Sequence, residues 1–386
     1  MMPRLLSLAF AVLVLALPAA AFETRAKSAY VLDYTTGTVL LSKDADVALP
    51  PASMSKLMTL YMAFEALRDG QLKPDERLRV SRHAHSYKGS TLFLEEGERV
   101  RVDDLLRGII VLSGNDACAV IAETLSPDGT EKGFARKMTE RAKALGMTNS
   151  SFANSNGWPD PGQRMSMRDL AILATRIIED FPEHYTMFAE SEFLFDEKES
   201  QNRFNRNPLL GLGIGADGLK TGHTQEAGYG LVGSVKQGNR RIIFVISGLE
   251  SESARATEAE AITNWAFRQF SQAKLLEKGD IIAKADVWMG AQDTVDLTAD
   301  ADLLALVPIA SKGKIAAEVV YDGPLKAPIT AGQKVGTLLI KPEGLSETEV
   351  PLVAAHAVDG GGVMVRLKTA SQKVLSKIAA NAEGAL

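Results

Sequence analysis

The stretch Pro50-Pro51-Ala52-Ser53-Met54-Ser55-Lys56-Leu57-Met58-Thr59 runs a turn into a helix. Its two prolines stop an extended chain. Beyond them Leu57, Met58, Tyr61, Phe64 and Leu67 recur at helical spacing up to Gly70, which reads as a C-terminal cap. Ser53 and Lys56 lie three residues apart, so at a helix start they share one face, with about 5–6 Å between their Cβ atoms. A lysine amine can then reach a serine hydroxyl. The helix N-terminus adds free N–H groups and a positive dipole end, both suited to a developing oxyanion. The S-x-x-K pattern is weak by itself, because an N-capping serine beside a solvated lysine looks the same.

Two further polar clusters change its weight. Ser113-Gly114-Asn115 stands at the end of the helix-like Leu105–Leu112 segment. A hydroxyl and an amide two residues apart can line one wall of a cleft, although an Asx-type turn accounts for the pattern equally well. Lys220-Thr221-Gly222 precedes the strand-like Gly228–Val235. On an extended chain Lys220 and Gly222 face the same way. Gly222 lets a ligand approach the backbone, while Lys220 and Thr221 offer a charge and a hydroxyl to an anionic substrate. S-x-x-K, then S-x-N, then K-T-G is the order that class A β-lactamases and penicillin-binding proteins use around a serine nucleophile.

With 386 residues the chain has room for two or three domains and a sizeable core. Hydrophobic residues at 46% and charged residues at 24% exclude wholesale disorder. A net charge of −5 argues against a nucleic-acid partner. Cys118 has no second cysteine to pair with, which excludes an intrachain disulfide framework and any cysteine-rich metal site. No H-E-x-x-H occurs, and His83-Ala84-His85 lacks further ligands at useful spacing, so neither a metal nor another cofactor is expected.

At the N-terminus Arg4 precedes the apolar run Leu5–Leu17, then Pro18 and the small residues Ala19-Ala20-Ala21. The run is shorter than the roughly 17–25 residues of a spanning helix. Residues 1–21 read as a secretory signal cleaved after Ala21, with an uncleaved anchor as the minority reading. In an exported protein Cys118 is tolerable as a free thiol if it is buried.

Ala29–Asp33 and Thr38–Ser42 read as a hairpin around Thr35-Thr36-Gly37. Asp104–Leu112, Glu131–Leu145, Leu170–Ile178 and Ala254–Phe270 read as helices, the third behind a capping box at Ser166-Met167-Arg168-Asp169. Gly228–Val235 and Arg241–Leu249 read as strands joined at Gly238-Asn239. Beyond Lys278 helical periodicity stops. Short strands follow at Ile281–Trp288, Thr294–Leu297, Leu303–Val307, Ile315–Tyr321, Lys334–Ile340 and Thr348–Ala355, which together read as an all-β domain. Gly360-Gly361-Gly362 reads as a hinge, and the tail behind it puts Leu367, Val374, Leu375 and Ile378 on one helical face.

Around these motifs the chain resembles the low-molecular-mass penicillin-binding proteins, the serine D-alanyl-D-alanine carboxypeptidases. The likeness is carried by Pro50–Thr59, by Ser113-Gly114-Asn115-Asp116-Ala117-Cys118, by Asn205-Arg206-Asn207 and by Asp217-Gly218-Leu219-Lys220-Thr221-Gly222-His223-Thr224. It spans the mature chain except the tail. The resemblance implies an α+β fold. Residues 22–275 would form a penicillin-binding transpeptidase/β-lactamase-like domain, an antiparallel sheet flanked by helices with a helical subdomain. Residues 276–358 would form a small β-rich domain, and residues 359–386 a glycine hinge and tail. The implied activity is a periplasmic hydrolase that removes the terminal D-alanine of peptidoglycan pentapeptide stems, with β-lactams as covalent inhibitors. Well-known members end in an aromatic-rich helix on the inner membrane. Here residues 363–386 carry Arg366, Lys368, Lys373 and Lys377 but no aromatic residue. Basic residues beside an apolar stripe suit peripheral contact with an anionic bilayer, and a frayed terminal helix fits equally.

In this reading Ser53 is the nucleophile and Lys56 its base. Burial and a second positive charge at Lys220 would bring the amine below its reference pKa of about 10.4. Ser113 can relay a proton towards the leaving D-alanine, and Asn115 can bind a backbone-like amide of the peptide. The resemblance puts the oxyanion hole on the backbone N–H groups of Ser53 and His223. It puts the terminal carboxylate on Lys220, Thr221 and Arg255, with Gly222 keeping the approach open. Arg255 is otherwise a solvated charge at a helix start. Cys118, Trp158, Trp265 and Trp288 read as packing residues, and Ser55 as pointing away from the nucleophile's face. A class A β-lactamase needs a glutamate to activate water, and Phe152–Arg168 contains none. A DD-endopeptidase and a non-catalytic peptidoglycan-binding module are the other readings.

Overall fold

A computed structural model describes residues 22–195, 202–309, 315–342, 345, 347–363 and 365. The expected signal at 1–21 and the basic tail residues lie outside the described residues. The chain opens with the hairpin β1 (Ser28–Asp33) and β2 (Thr38–Lys43). A 3₁₀ turn over Ala52–Ser55 leads into α1 (Lys56–Arg68). A helical subdomain follows: β3 (Arg77–Arg79), α2 (Arg82–Ser86), β4 (Arg99–Arg101), α3 (Val102–Arg107), α4 (Asn115–Leu125), α5 (Glu131–Ala144), α6 (Met167–Asp180) and α7 (Pro182–Tyr185). The chain then returns to the sheet through β5 (Ala216–Thr224), β6 (Gly228–Gln237) and β7 (Arg240–Leu249), followed by α8 (Glu252–Gln269). The strand order is β2-β1-β7-β6-β5, antiparallel throughout.

The pattern of β7 explains why this sheet lies between helical layers. Ile242, Phe244 and Ile246 belong to the core shared with Ala259, Ile262 and Ala266 of α8. Ile243 and Val245 belong to the other core, shared with α1 and α6. A strand apolar in both phases of its two-residue period is buried on both faces. Local signals set the helix starts. Ser166, Thr130 and Ser251 each accept a hydrogen bond from the backbone N–H three residues on, at 3.0–3.1 Å.

The expected Asp104–Leu112 helix is α-helical only to Arg107. Gly108–Leu112 widens into a π turn, and Ser113 ends it in the left-handed region at φ 65°. α4, which has no counterpart in the sequence reading, begins two residues later and buries the Asp116 carboxylate under the N–H groups of Leu92 and Leu94.

The β-rich half runs β8 (Phe270–Leu276), β9 (Ile281–Trp288), β10 (Thr294–Ala299), β11 (Leu303–Pro308), β12 (Ile315–Val320), β13 (Leu325–Lys326), β14 (Lys334–Pro342) and β15 (Thr348–Ala354). Six strands form one sheet in the order β12-β14-β15-β10-β9-β13 over Val295, Leu297, Leu338, Ile340 and Leu352. β8 follows α8 without a loop and pairs with β11, so residue 275, the expected junction, lies inside a strand. The glycines at 360 and 361 are not a free hinge. Gly360 bridges Gly290, and the Gly361 N–H donates to Met289 O at 2.7 Å.

Candidate active site

Ala52 takes a left-handed φ of 49°, and the 3₁₀ turn behind it presents Ser53 half-buried above a fully buried Lys56. Their spacing places Lys56 Nζ 2.8 Å from Ser53 Oγ. Two carbonyl oxygens meet the same nitrogen, Asn115 Oδ1 at 2.7 Å and Asn156 O at 2.6 Å. An ammonium fills its three N–H donors with these partners. A neutral amine has two N–H groups and one lone pair. The carbonyls can only accept, so they keep the two N–H groups and leave the lone pair facing Ser53 Oγ. In that form the lone pair can act on the hydroxyl as a base.

The electrostatics bring that neutral form within reach. Burial brings the Lys56 amine down to about 8; Arg206 acts in the same direction, while Cys118, Asp116 and Glu131 oppose it. At pH 7 an amine with that value is neutral in about one molecule in ten. Lys220 is also buried and sits well below the ordinary lysine value, first through burial and then through the like charges of Lys56 and Arg206.

β5, at the sheet edge, packs on the Ser53 turn. A Cβ at Gly222 would lie 2.9 Å from Pro51 O and 3.0 Å from Met54 Cγ, so a side chain there would prise the two apart. Lys220, two residues back, has its Nζ 3.4 Å from Thr221 O, and Thr221 is buried beside it. His223 is exposed and stacks on Tyr229 with centroids 3.9 Å apart. Arg255 is not a solvated charge. It is 3% exposed, lies 5.8 Å from the centre of the Tyr229 ring, and donates to Glu252 Oε1 at 2.8 Å and Arg206 O at 3.3 Å. Asn115 is held twice, its N–H by Ser90 O at 2.8 Å and its Nδ2 by Lys88 O at 2.7 Å.

The fold thus puts Ser53, Lys56 and Asn115 in contact, with Ser113 buried two residues from Asn115, Gly222 against the Ser53 turn, and Lys220 in the field of Lys56. Arg255 connects to this group through Tyr229 and Arg206. Three contributors carry no role in the sequence reading. Asn156 acts through its carbonyl, which any residue possesses. Arg206 donates to Ser90 Oγ at 2.6 Å and Leu112 O at 3.2 Å, and burial lowers its pKa. Trp158 is 44% exposed rather than packed in a core. It flanks the cleft, since a Cβ at Gly89 would sit 3.5 Å from both Trp158 Cζ3 and Asn115 Nδ2. Between them Gly157, at φ 84°, passes so close to Ala52 O that a Cβ would overlap it. Among the described residues no group of three His, Cys, Asp or Glu could hold a metal.

Residues 16–251 match the D-alanyl-D-alanine carboxypeptidase family, and residues 270–359 match the C-terminal domain of penicillin-binding protein 5. This chain belongs to the D-alanyl-D-alanine carboxypeptidase family. Among the carboxypeptidase's relatives, DacF of Bacillus subtilis is 35% identical over 350 residues, covering 89% of this chain and 88% of the relative. The structure of penicillin binding protein 5 from Haemophilus influenzae aligns with a TM-score of 0.76 at 32% identity, over 87% of this chain and 98% of that one. Penicillin-binding protein D2 of Listeria monocytogenes, in an ampicillin-bound form, aligns with a TM-score of 0.57 at 30% identity, over 63% of this chain and 98% of that one. The α+β architecture with a following β domain is that of the penicillin-binding proteins, and the carboxypeptidase is a serine hydrolase.

Proposed function

We propose that this carboxypeptidase removes the terminal D-alanine from peptidoglycan pentapeptide stems through a Ser53 acyl-enzyme. The observation that carries the reading is Lys56 Nζ, held by two carbonyl oxygens with Ser53 Oγ as its third neighbour. Lys56 takes the hydroxyl proton as Ser53 attacks the D-Ala–D-Ala carbonyl. The backbone N–H groups of Ser53 and His223 receive the oxyanion. Ser113 passes a proton to the departing D-alanine amine, and water then hydrolyses the ester. Asn115 keeps one Nδ2 hydrogen for the peptide after bonding Lys88 O. Arg255 and Arg206 supply the positive charge for the terminal carboxylate, Lys220 and Thr221 add N–H and O–H donors to it, and Gly222, having no side chain, keeps β5 close to the Ser53 turn. A β-lactam offers a strained amide in the same place, a reading supported by the ampicillin-bound relative. Mass spectrometry of pentapeptide muropeptides, before and after incubation, should show loss of one D-alanine. Ser53→Ala should abolish both that loss and labelling by a fluorescent penicillin, and labelling that survives would remove Ser53 from its role. Cleavage of crosslinks in place of tails would make the enzyme an endopeptidase.

We also infer that the chemistry resides in residues 22–275, that residues 276–358 form a separate β-rich domain, and that the enzyme works in the periplasm. The N-terminal pattern over 1–21 supports export, and the basic, apolar-striped tail supports peripheral contact with the inner membrane. No described helix is long and apolar enough to cross a membrane. Cosedimentation with anionic vesicles should fall when the chain is ended at Gly362.

A further inference from the structure

The two carbonyl groups that orient the Lys56 amine do not hold themselves in place. Asn156 O belongs to a turn whose preceding residue, Ser155, is bound through both its N–H (2.9 Å) and its hydroxyl (2.5 Å) to Glu131 Oε1. Asn115 Oδ1 is set by the other end of its amide, which donates to Lys88 O. Lys88 directly follows Tyr87, whose hydroxyl donates to Glu131 Oε2 at 2.6 Å, where His83 Nε2 also binds at 2.7 Å. Both supports end on one carboxylate.

We propose that Glu131 is a positioning residue for the Lys56 amine: its Oε1 fixes the Ser155–Asn156 turn, its Oε2 fixes the Tyr87–Lys88 turn, and together they keep the lone pair aimed at Ser53. Glu131 opens α5 and is 7% exposed. A buried carboxylate is costly unless its oxygens are bonded. Here burial opposes ionisation, but the bonds from Ser155, Tyr87 and His83 outweigh it and keep the group below the ordinary carboxylate value. The helix N-terminus favours the same charge. Glu131 thus remains an anion, and four donors anchor it on both sides of the cage. The ionisable neighbours of Lys56 are Cys118, Asp116, Glu131, Arg206 and Lys220; those of Glu131 are His83, Tyr87, Lys56 and Cys118.

This inference rests on Ser53 and Lys56 acting as nucleophile and base, and its test separates the two. The second-order rate of labelling by a fluorescent penicillin is measured against pH for the full chain. Glu131→Gln keeps the size and one acceptor oxygen but puts an amide N–H₂ against the Tyr87 hydroxyl. The labelling rate should fall about tenfold, as expected when a base is misaimed, with the noncovalent affinity for a pentapeptide unchanged. The acid limb of the profile should move to lower pH, because the lost negative charge favoured the Lys56 ammonium. Tyr87→Phe, which keeps the ring, should slow labelling about threefold through the Oε2 arm alone. A merely structural role would lower the melting temperature and the labelled fraction but leave the rate and limb of the folded fraction unchanged, and that result overturns the proposal. If Glu131→Gln fails to fold, Tyr87→Phe and Ser155→Ala decide, and unchanged rates in both overturn it. Labelling of Ser53→Ala would instead overturn the nucleophile reading.

Discussion

The two halves of the chain treat buried charge in opposite ways. Before residue 270 the buried residues include Asp33, Lys56, Asp116, Glu131, Asp169, Lys220, Arg240 and Arg255. Beyond it, among the described residues, Thr298 alone represents the buried polar or charged class. Both halves are built on largely antiparallel sheets with apolar cores, so sheet architecture does not require the charges. Removing a charge from water costs several kcal/mol unless partners replace the solvent. Most charges in the catalytic half have such partners. Arg240 donates to Asp33 Oδ2 at 2.5 Å and Phe270 O at 2.9 Å, and Asp169 accepts from Asn149 N–H and Ser150 Oγ. Lys56 and Lys220 differ, because burial pushes both towards neutrality. The buried charges that anchor the fold are matched by bonded partners, whereas burial leaves the two lysines of the site closer to releasing a proton.

That contrast can be broken at several points. The largest effect is expected from Lys56→Ala, which leaves Ser53 without a base. Acylation by penicillin should fall by about 10³-fold or more, and stopped-flow labelling would measure it. Arg206→Gln should act next. Removing a positive charge that depresses the Lys56 pKa raises that pKa, so the acid limb of the labelling profile should move to higher pH. The rate at pH 7 should drop several-fold, about tenfold for each full pH unit of movement. Leu352→Ala tests the other half. Leu352 is fully buried in the β core, and its truncation should cost about 2–5 kcal/mol there, seen as an earlier calorimetric transition, with the labelling rate unchanged. A changed rate would show that the two halves are coupled. The smallest effect is the pH dependence of stability. A buried lysine whose folded pKa is depressed binds fewer protons than in the unfolded chain, so stability rises with pH between the folded and unfolded values. From pH 8 to 9 urea denaturation of the catalytic half should therefore shift to higher urea, and Lys56→Met should flatten the slope.

The sequence and the structure agree most closely where physics is local. The Ser53–Lys56 contact follows from helical spacing, and β9 spans the same residues, Ile281–Trp288, that its pattern marked. The Asp104–Leu112 segment ends in the continuous run Ile109–Leu112 and does not reveal that it loosens into a π turn, because that change serves the left-handed Ser113 behind it. Asn156 is invisible as a functional residue because its backbone carbonyl makes the key contact. Glu131 looks like an ordinary first-turn acid, and only the tertiary fold brings it under Ser155 and Tyr87. The glycines at 360 and 361 look like a swivel, yet they are pinned by hydrogen bonds from a strand end distant in sequence.

Gly157 has a consequence for how this enzyme can drift. Even a single methyl group at that position would collide with the Ala52 carbonyl and shift the Ser53 turn away from the loop whose Asn156 carbonyl holds the Lys56 amine. Every codon change that replaces this glycine therefore alters the chemistry before it alters the surface. Adaptation to a new drug must enter through neighbours with spare room, such as the half-open indole at position 158.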